Sequence, residues 1–145
     1  MKLRAALPFS EHQLQVSVCD LLDVGLRPGL YYLAIPNGGA RHIAVARKLK
    51  SEGVKAGVPD LQILLEEGRT AWLELKVKGG SLSPDQRLFR DVARKLGHPW
   101  AMAKTLDEAS SFLREIGALR NDILVSPKRS EGGIISPVTR WQDSD

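Results

Sequence analysis

The sequence predicts an α/β domain in which a mixed β-sheet of about four strands is flanked by helices. Three observations carry that expectation. Stretches with strand-like alternation interleave with amphipathic helical stretches in the order α, β, α, β, β, α, β, α. Capping-box patterns at Ser10–Gln13 and Ser83–Gln86 mark helix starts. The turn signal Glu66-Glu67-Gly68-Arg69 joins two strand-like runs as a hairpin.

The first helix opens at Ser10 and runs to about Leu22, with Leu14, Val18, Leu21 and Leu22 on one stripe and Gly25 beyond its end. Glu11 lies three and seven residues before Leu14 and Val18, so it projects from the apolar side. "LYYLAI" is a strand closed by the turn "PNGG". "ARHIAVARKLKSEG" is a second helix stopped at Gly53; Arg41, Arg47 and Lys48 share one arc and Ile43, Val45, Ala46 and Leu49 the opposite one. His42 falls on the apolar side and is expected to be packed. "DLQILL" and "TAWLELKV" form the hairpin. Pro84 occupies the first position of the helix that follows, which ends at Gly97. "WAMAKT" is the last strand, and Thr105 with Glu108 opens a final helix to about Ile116.

At 145 residues the chain supports one well-buried core and is too short for two ordinary domains. The domain is expected over residues 1–119. The extension 120–145 mixes turn formers with short apolar pieces and reads as a partly ordered tail. Hydrophobic content of 43% and charged content of 26% are those of a globular protein, and the apolar runs are too interrupted to span a bilayer. The N-terminus lacks the apolar core of a signal peptide. One cysteine excludes an internal disulfide and favours a reducing cytoplasm; with three histidines it offers no paired zinc-ligand spacing. The net charge of +4 is compatible with a polyanionic partner without requiring one.

The chemistry concentrates in "GVPDLQILLEEGRTAWLELKVK", residues 57–78. Alternation sends Trp72, Glu74, Lys76 and Lys78 to one face of the second strand and Leu73, Leu75 and Val77 to the core. Asp60 shares the face of Glu74 only if even-numbered residues pair with even-numbered ones. That requires an odd loop, such as Glu67-Gly68-Arg69, with Gly68 in the left-handed region. A symmetrical four-residue loop would place Asp60 on the opposite face. In the even register two carboxylates and an ammonium converge. Carboxylate oxygens with backbone carbonyls and water suit a hard cation, Mg²⁺ or Mn²⁺, and Lys76 is placed to orient a water and stabilise developing negative charge.

Pro59-Asp60 followed by Glu74-Leu75-Lys76 is similar to the active-site signature of the PD-(D/E)XK nuclease superfamily. More narrowly, the chain resembles the VRR-type (virus-type replication-repair) nuclease domain in its small stand-alone, phage- or bacterial-like form. The other landmarks of that family follow in order: the helix-opening Glu11, "IPNGG", a basic helix ending "LKSEGVKAGVPD", and "SLSPDQ". The resemblance covers Glu11 to about Leu113 and implies a restriction-endonuclease-like core. It implies that Asp60 and Glu74 bind the metal with the Leu75 backbone carbonyl, and that Lys76 acts on the attacking water. Glu11 would reach the metal directly or through water, and Gln86 would help position the site. The implied activity is metal-assisted hydrolysis of DNA phosphodiesters, on branched DNA such as four-way (Holliday) junctions, by a cytoplasmic homodimer.

Each of these residues also has a plainer reading. Glu-x-Lys on a strand can be a solvated ion pair, Glu11 a first-turn acid favoured by the helix dipole, and Gln86 a capping residue. Asn37-Gly38-Gly39 is a turn that could also present N–H groups to a phosphate. Arg41, Arg47, Lys48 and Lys78, and the row Arg87, Arg90 and Arg94, are solvated charges or phosphate contacts. Tyr31, Tyr32 and Trp72 are core or rim residues. A binding module without turnover, or a nuclease acting on RNA or on duplex ends, stays open as an alternative.

Overall fold

The computed structural model describes residues 10–36 and 42–123. Along them run α1 (Glu11–Gly25), β1 (Tyr31–Ala34), α2 (Ile43–Ser51), β2 (Leu61–Leu64), β3 (Thr70–Leu75), α3 (Pro84–Lys95), β4 (Trp100–Ala103) and α4 (Leu106–Glu115). The four strands form one mixed sheet in the order β1-β2-β3-β4. The first two pairings are antiparallel, and β3 and β4 are parallel neighbours connected through α3. The expected fold class is therefore observed, and it is consistent with a restriction-endonuclease-like core. Among the described residues no helix is long and apolar enough to cross a membrane.

Local chemistry sets the helix starts. Ser10 Oγ accepts from Gln13 N while Ser10 N donates to Gln13 Oε1, and Ser83 with Gln86 repeats the exchange. Each pair satisfies two N–H groups that a helix start would otherwise leave orphaned. Thr105 caps α4, but the Glu108 carboxylate reaches back to Lys104 N instead of closing a full box. α1 runs on to Gly25, past the expected end at Leu22.

Two layers of side chains cover the sheet. On one face Leu14, Val18 and Leu22 of α1 and Phe112 and Leu113 of α4 pack over Leu61, Ile63, Leu73, Leu75, Ala101 and Ala103. Each large aliphatic side chain buried there contributes about 1.5–3 kcal/mol. On the other face Leu82, Phe89 and Ala93 cover Trp72, Trp100 and Met102, with Trp72 and Phe89 edge-on at 4.9 Å. The even-numbered residues of β3 thus face α3. Val77 departs from expectation: β3 ends at Leu75, and Val77 is half-buried outside the core cluster because the chain turns there, with Gly80 N donating to Val77 O.

The helix α2 departs further. No side chain of α2 is buried, Ile43 is 72% exposed, and His42 is an exposed N-cap instead of a packed residue. The cause is topological. β1 and β2 are antiparallel neighbours, so their connection needs no crossover and does not press its helix onto a sheet face. Ala46 and Leu49 instead line an open groove of about 710 Å³ with Val54, Gly57, Asp85 and Leu88.

The chain beyond Leu119 stays attached as far as it is described. Leu26 and Leu119 form a bridge, Arg120 N donates to Gly25 O, and the Ile123 side chain lies against Gly25. Residues 124–145 of the expected tail lie outside the described residues, as do Asn37, Gly38, Gly39 and Arg41.

Candidate active site

The hairpin fixes which side chains can meet. Leu61 pairs with Leu73 and Ile63 with Ala71, so even-numbered residues do pair with even-numbered ones. One step beyond Leu61 and Leu73, Asp60 stands opposite Glu74. Hydrogen-bonded pairs step by two from Leu65–Arg69, where Leu65 N donates to Arg69 O at 2.9 Å. Asp60–Glu74 therefore falls on a non-hydrogen-bonded pair, where facing side chains come closest.

The turn achieves this register differently from the expected loop Glu67-Gly68-Arg69. Glu67 and Gly68 both have positive φ, 61° and 71°, and Arg69 N donates to Glu66 O. That is a tight two-residue turn, which alone would pair even with odd. Leu65 and Glu66 both face Arg69, and this bulge adds the residue that restores even-with-even pairing. Gly68 is left-handed as expected. The odd loop is Glu66-Glu67-Gly68, one residue earlier.

The next hydrogen-bonded position sets Pro59 opposite Leu75. A proline has no N–H to give the Leu75 carbonyl, and the Leu75 N–H is taken by Asp60 Oδ2 at 2.8 Å. Pro59 is thus a site residue whose role reading the sequence did not identify. Its signal was a proline just before a strand in the middle of a sheet.

Glu74 is buried, with 3% of its surface exposed, and its charge is met from two sides. Lys76 Nζ lies 3.2 Å from Glu74 Oε1, with the lysine side chain 15% exposed. Gln86 Nε2 donates to the same oxygen at 2.7 Å while Gln86 Oε1 accepts from Ser83 N. The capping reading of Gln86 is observed, and the box that starts α3 also aims its amide at Glu74.

Burial pushes the Glu74 carboxyl up to about 7; the Asp60 charge adds to the rise, and Lys76 opposes it. Burial also raises Asp60, against the Leu75 N–H and Lys76. Glu11 is exposed at the start of α1, yet its charge raises both carboxyls, which places it in electrostatic reach of the pair.

These donors fit a hard divalent cation. The hydrogen bonds and ion pair to the two carboxylates among the described residues fall on Asp60 Oδ2 and Glu74 Oε1, which leaves Asp60 Oδ1 and Glu74 Oε2 to face a ligand. Among the described residues no three His, Cys, Asp or Glu side chains form a ready metal cage. Two carboxylates with water and phosphate oxygens completing the shell is the usual way Mg²⁺ is held.

The basic residues are less unified than their spacing suggested. Arg47, Lys48 and Lys78 are exposed, with Lys48 4.0 Å from Glu52. Arg87 Nη1 donates to Leu82 O, Arg90 pairs with Asp91, and Arg94 stacks over the Trp100 ring at 5.4 Å. The α3 row is therefore partly engaged in holding its own helix.

Comparison with known proteins identifies the family. The VRR-NUC domain model matches residues 10–105. A solved structure described as a VRR_NUC domain protein is 25% identical and superposes with a TM-score of 0.62, covering 74% of this chain and 87% of the other. A second, described as a VRR_NUC domain, is 18% identical with a TM-score of 0.49, covering 72% and 94%. No curated protein matches the chain. The family match spans the first helix, the hairpin that pairs Asp60 with Glu74, and the Gln86 helix, and the chain belongs to the VRR-NUC family of nuclease domains.

Proposed function

We propose that this chain is a divalent-metal-dependent endonuclease that hydrolyses DNA phosphodiester bonds, selective for branched DNA such as four-way junctions. The observation that carries the proposal is the convergence of Asp60, Glu74 and Lys76 at one point of the sheet, with Lys76 on the Glu74 carboxylate.

Asp60, Glu74 and the Leu75 carbonyl would hold Mg²⁺ or Mn²⁺, with Glu11 acting directly or through water. When bound, the cation supplies polarisation of the phosphoryl oxygens and makes water a better nucleophile at neutral pH. Lys76 orients the attacking water and balances the charge that builds on the phosphate. Gln86 keeps the Glu74 carboxylate from rotating, and Leu73 and Leu75 anchor the strand from behind. Arg47, Lys48, Lys78 and Arg87, with Asn37, Gly38, Gly39 and Arg41, contact the DNA backbone.

A single copy of so small a domain has little surface with which to grip a branched substrate. A homodimer with two active sites in a bacterial or phage-infected cytoplasm completes the proposal. The apolar side chains left exposed on α2 and α3, among them Ile43, Leu88 and Val92, support self-association.

The test is cleavage of labelled junction, flap, duplex and single-stranded DNA, and of RNA, with Mg²⁺, Mn²⁺ or EDTA, alongside sedimentation of the free protein. Metal-dependent cutting of the junction above the other substrates is expected. Binding without cutting would leave a binding module. Equal cutting of RNA or plain duplex ends would remove the substrate assignment.

A further inference from the structure

The chain that delivers Asp60 and the helix that delivers Gln86 come into close backbone contact at Gly57. Its φ is +84°, and a Cβ built there would lie 2.4 Å from both C and O of Asp85 and 2.7 Å from Gln86 N. All three atoms are backbone of the first turn of α3, so no side chain can swing aside. Three residues later Asp60 accepts from the Leu75 N–H, and one peptide away Gln86 reaches Glu74. The first turn is itself braced by the exchange between Ser83 and Gln86.

We propose that Gly57 is a positioning residue of the active site: by lacking a Cβ, it seats the Asp60 segment on the Asp85–Gln86 peptide and thereby holds the Gln86 amide on Glu74. The proposal rests on the nuclease reading for its catalytic consequence, but its geometric content stands apart from it. A methyl group at position 57 must push α3 away from the segment before β2. Gln86 then leaves Glu74 Oε1, and Lys76 is left as the only one of its two partners.

Other glycines share the backbone conformation without the contact. Gly97 has φ +81° and nothing within 4 Å of a built Cβ. Gly97→Ala therefore carries the same left-handed strain as Gly57→Ala and leaves the seam alone, which makes it a matched control.

The experiment compares wild type, Gly57→Ala, Gly97→Ala and Gln86→Ala. All are measured with and without trimethylamine N-oxide, which favours the compact state and keeps a weakened variant folded. The first readout is the Gln86 side-chain amide signal in nitrogen-15 NMR spectra of metal-free protein, assigned by its loss in Gln86→Ala. Gly57→Ala is expected to move that signal to the position of a solvated amide, and Gly97→Ala to leave it in place. The second readout is cleavage: Gly57→Ala should lower kcat roughly 10- to 100-fold, with KM for DNA changed less than about threefold. Adding Gly57→Ala to Gln86→Ala should lower kcat little further. An unmoved Gln86 signal in Gly57→Ala, or an equal displacement in Gly97→Ala, overturns the proposal even if no DNA is cut. A displaced signal with unchanged kcat in an active enzyme overturns the catalytic part.

Discussion

Replacing Glu74 by glutamine keeps the shape of the side chain and removes its charge, so it isolates what burying that charge does to stability. Folding lifts the carboxyl from its ordinary 4.5 to about 7, chiefly through burial. Between those values the folded chain holds a proton that the unfolded chain has released. Stability contributed by this group is complete below about pH 4.5 and is lost as pH rises through about 7. At about 1.4 kcal/mol per pH unit, the loss approaches ~3 kcal/mol by pH 8. Urea denaturation in EDTA, repeated from pH 4.5 to 8.5, should find Glu74→Gln near wild type at the acid end. At the alkaline end the variant should be more stable by about that amount. Saturating Mg²⁺ should then close the gap by stabilising wild type alone. A difference between the two proteins that does not change with pH would refute the reasoning, because the substitution removes the titrating carboxyl whose burial, with the neighbouring charges, makes that contribution depend on pH.

Four other outcomes follow from the same geometry. Lys76→Ala should lower the cleavage rate by roughly 100-fold or more while leaving DNA binding within about threefold, read by single-turnover cleavage and by anisotropy. Pro59→Ala supplies an N–H opposite the Leu75 carbonyl and should weaken Mg²⁺ binding by roughly tenfold in calorimetry, with the circular dichroism spectrum unchanged; unaltered affinity would mean the carbonyl is not a ligand. Glu67→Gly relieves a left-handed glutamate and should raise unfolding stability by about 1 kcal/mol without affecting cleavage. Binding of junction DNA should fall steeply with salt if Arg47, Lys48, Lys78 and Arg87 neutralise phosphates; a flat dependence would remove them from the interface.

What could be read from the chain was what is local or periodic. Ser10, Ser83 and their glutamines announce helix starts because a capping box is built within four residues. Alternation through Ala71–Leu75 separates the core face from the charged face, and the parity argument says that only a loop with an odd number of residues brings Asp60 to the face of Glu74. The turn was readable only in part: its odd length and the left-handed Gly68 were expected, but not its position one residue earlier. Glu67 adopts a conformation that glutamate rarely takes, and nothing in Glu-Glu-Gly announces a bulge at Leu65–Glu66. The fate of α2 was hidden for another reason. Amphipathicity says which arc of a helix can be buried, not whether the topology brings a surface to bury it against. The partners of Arg87 and Arg94 likewise depend on where Leu82 O and the Trp100 ring arrive after folding. Gly57 was legible only as a small residue before Pro59-Asp60, since its contact is with backbone from a different part of the chain.

The bulge at Leu65–Glu66 also governs how this hairpin can change length. As long as the tight turn and its bulge are kept, every residue added to or lost from the loop shifts the pairing by one and exchanges the two faces of one strand relative to the other. A single-residue insertion between Leu65 and Arg69 would turn Asp60 toward the apolar layer beneath α1, unless a second change elsewhere in the loop restored the count. Insertions in pairs carry no such penalty. The hairpin therefore tolerates length variation in steps of two, and the chemistry of the site is tied to whether its turn holds an odd or an even number of residues.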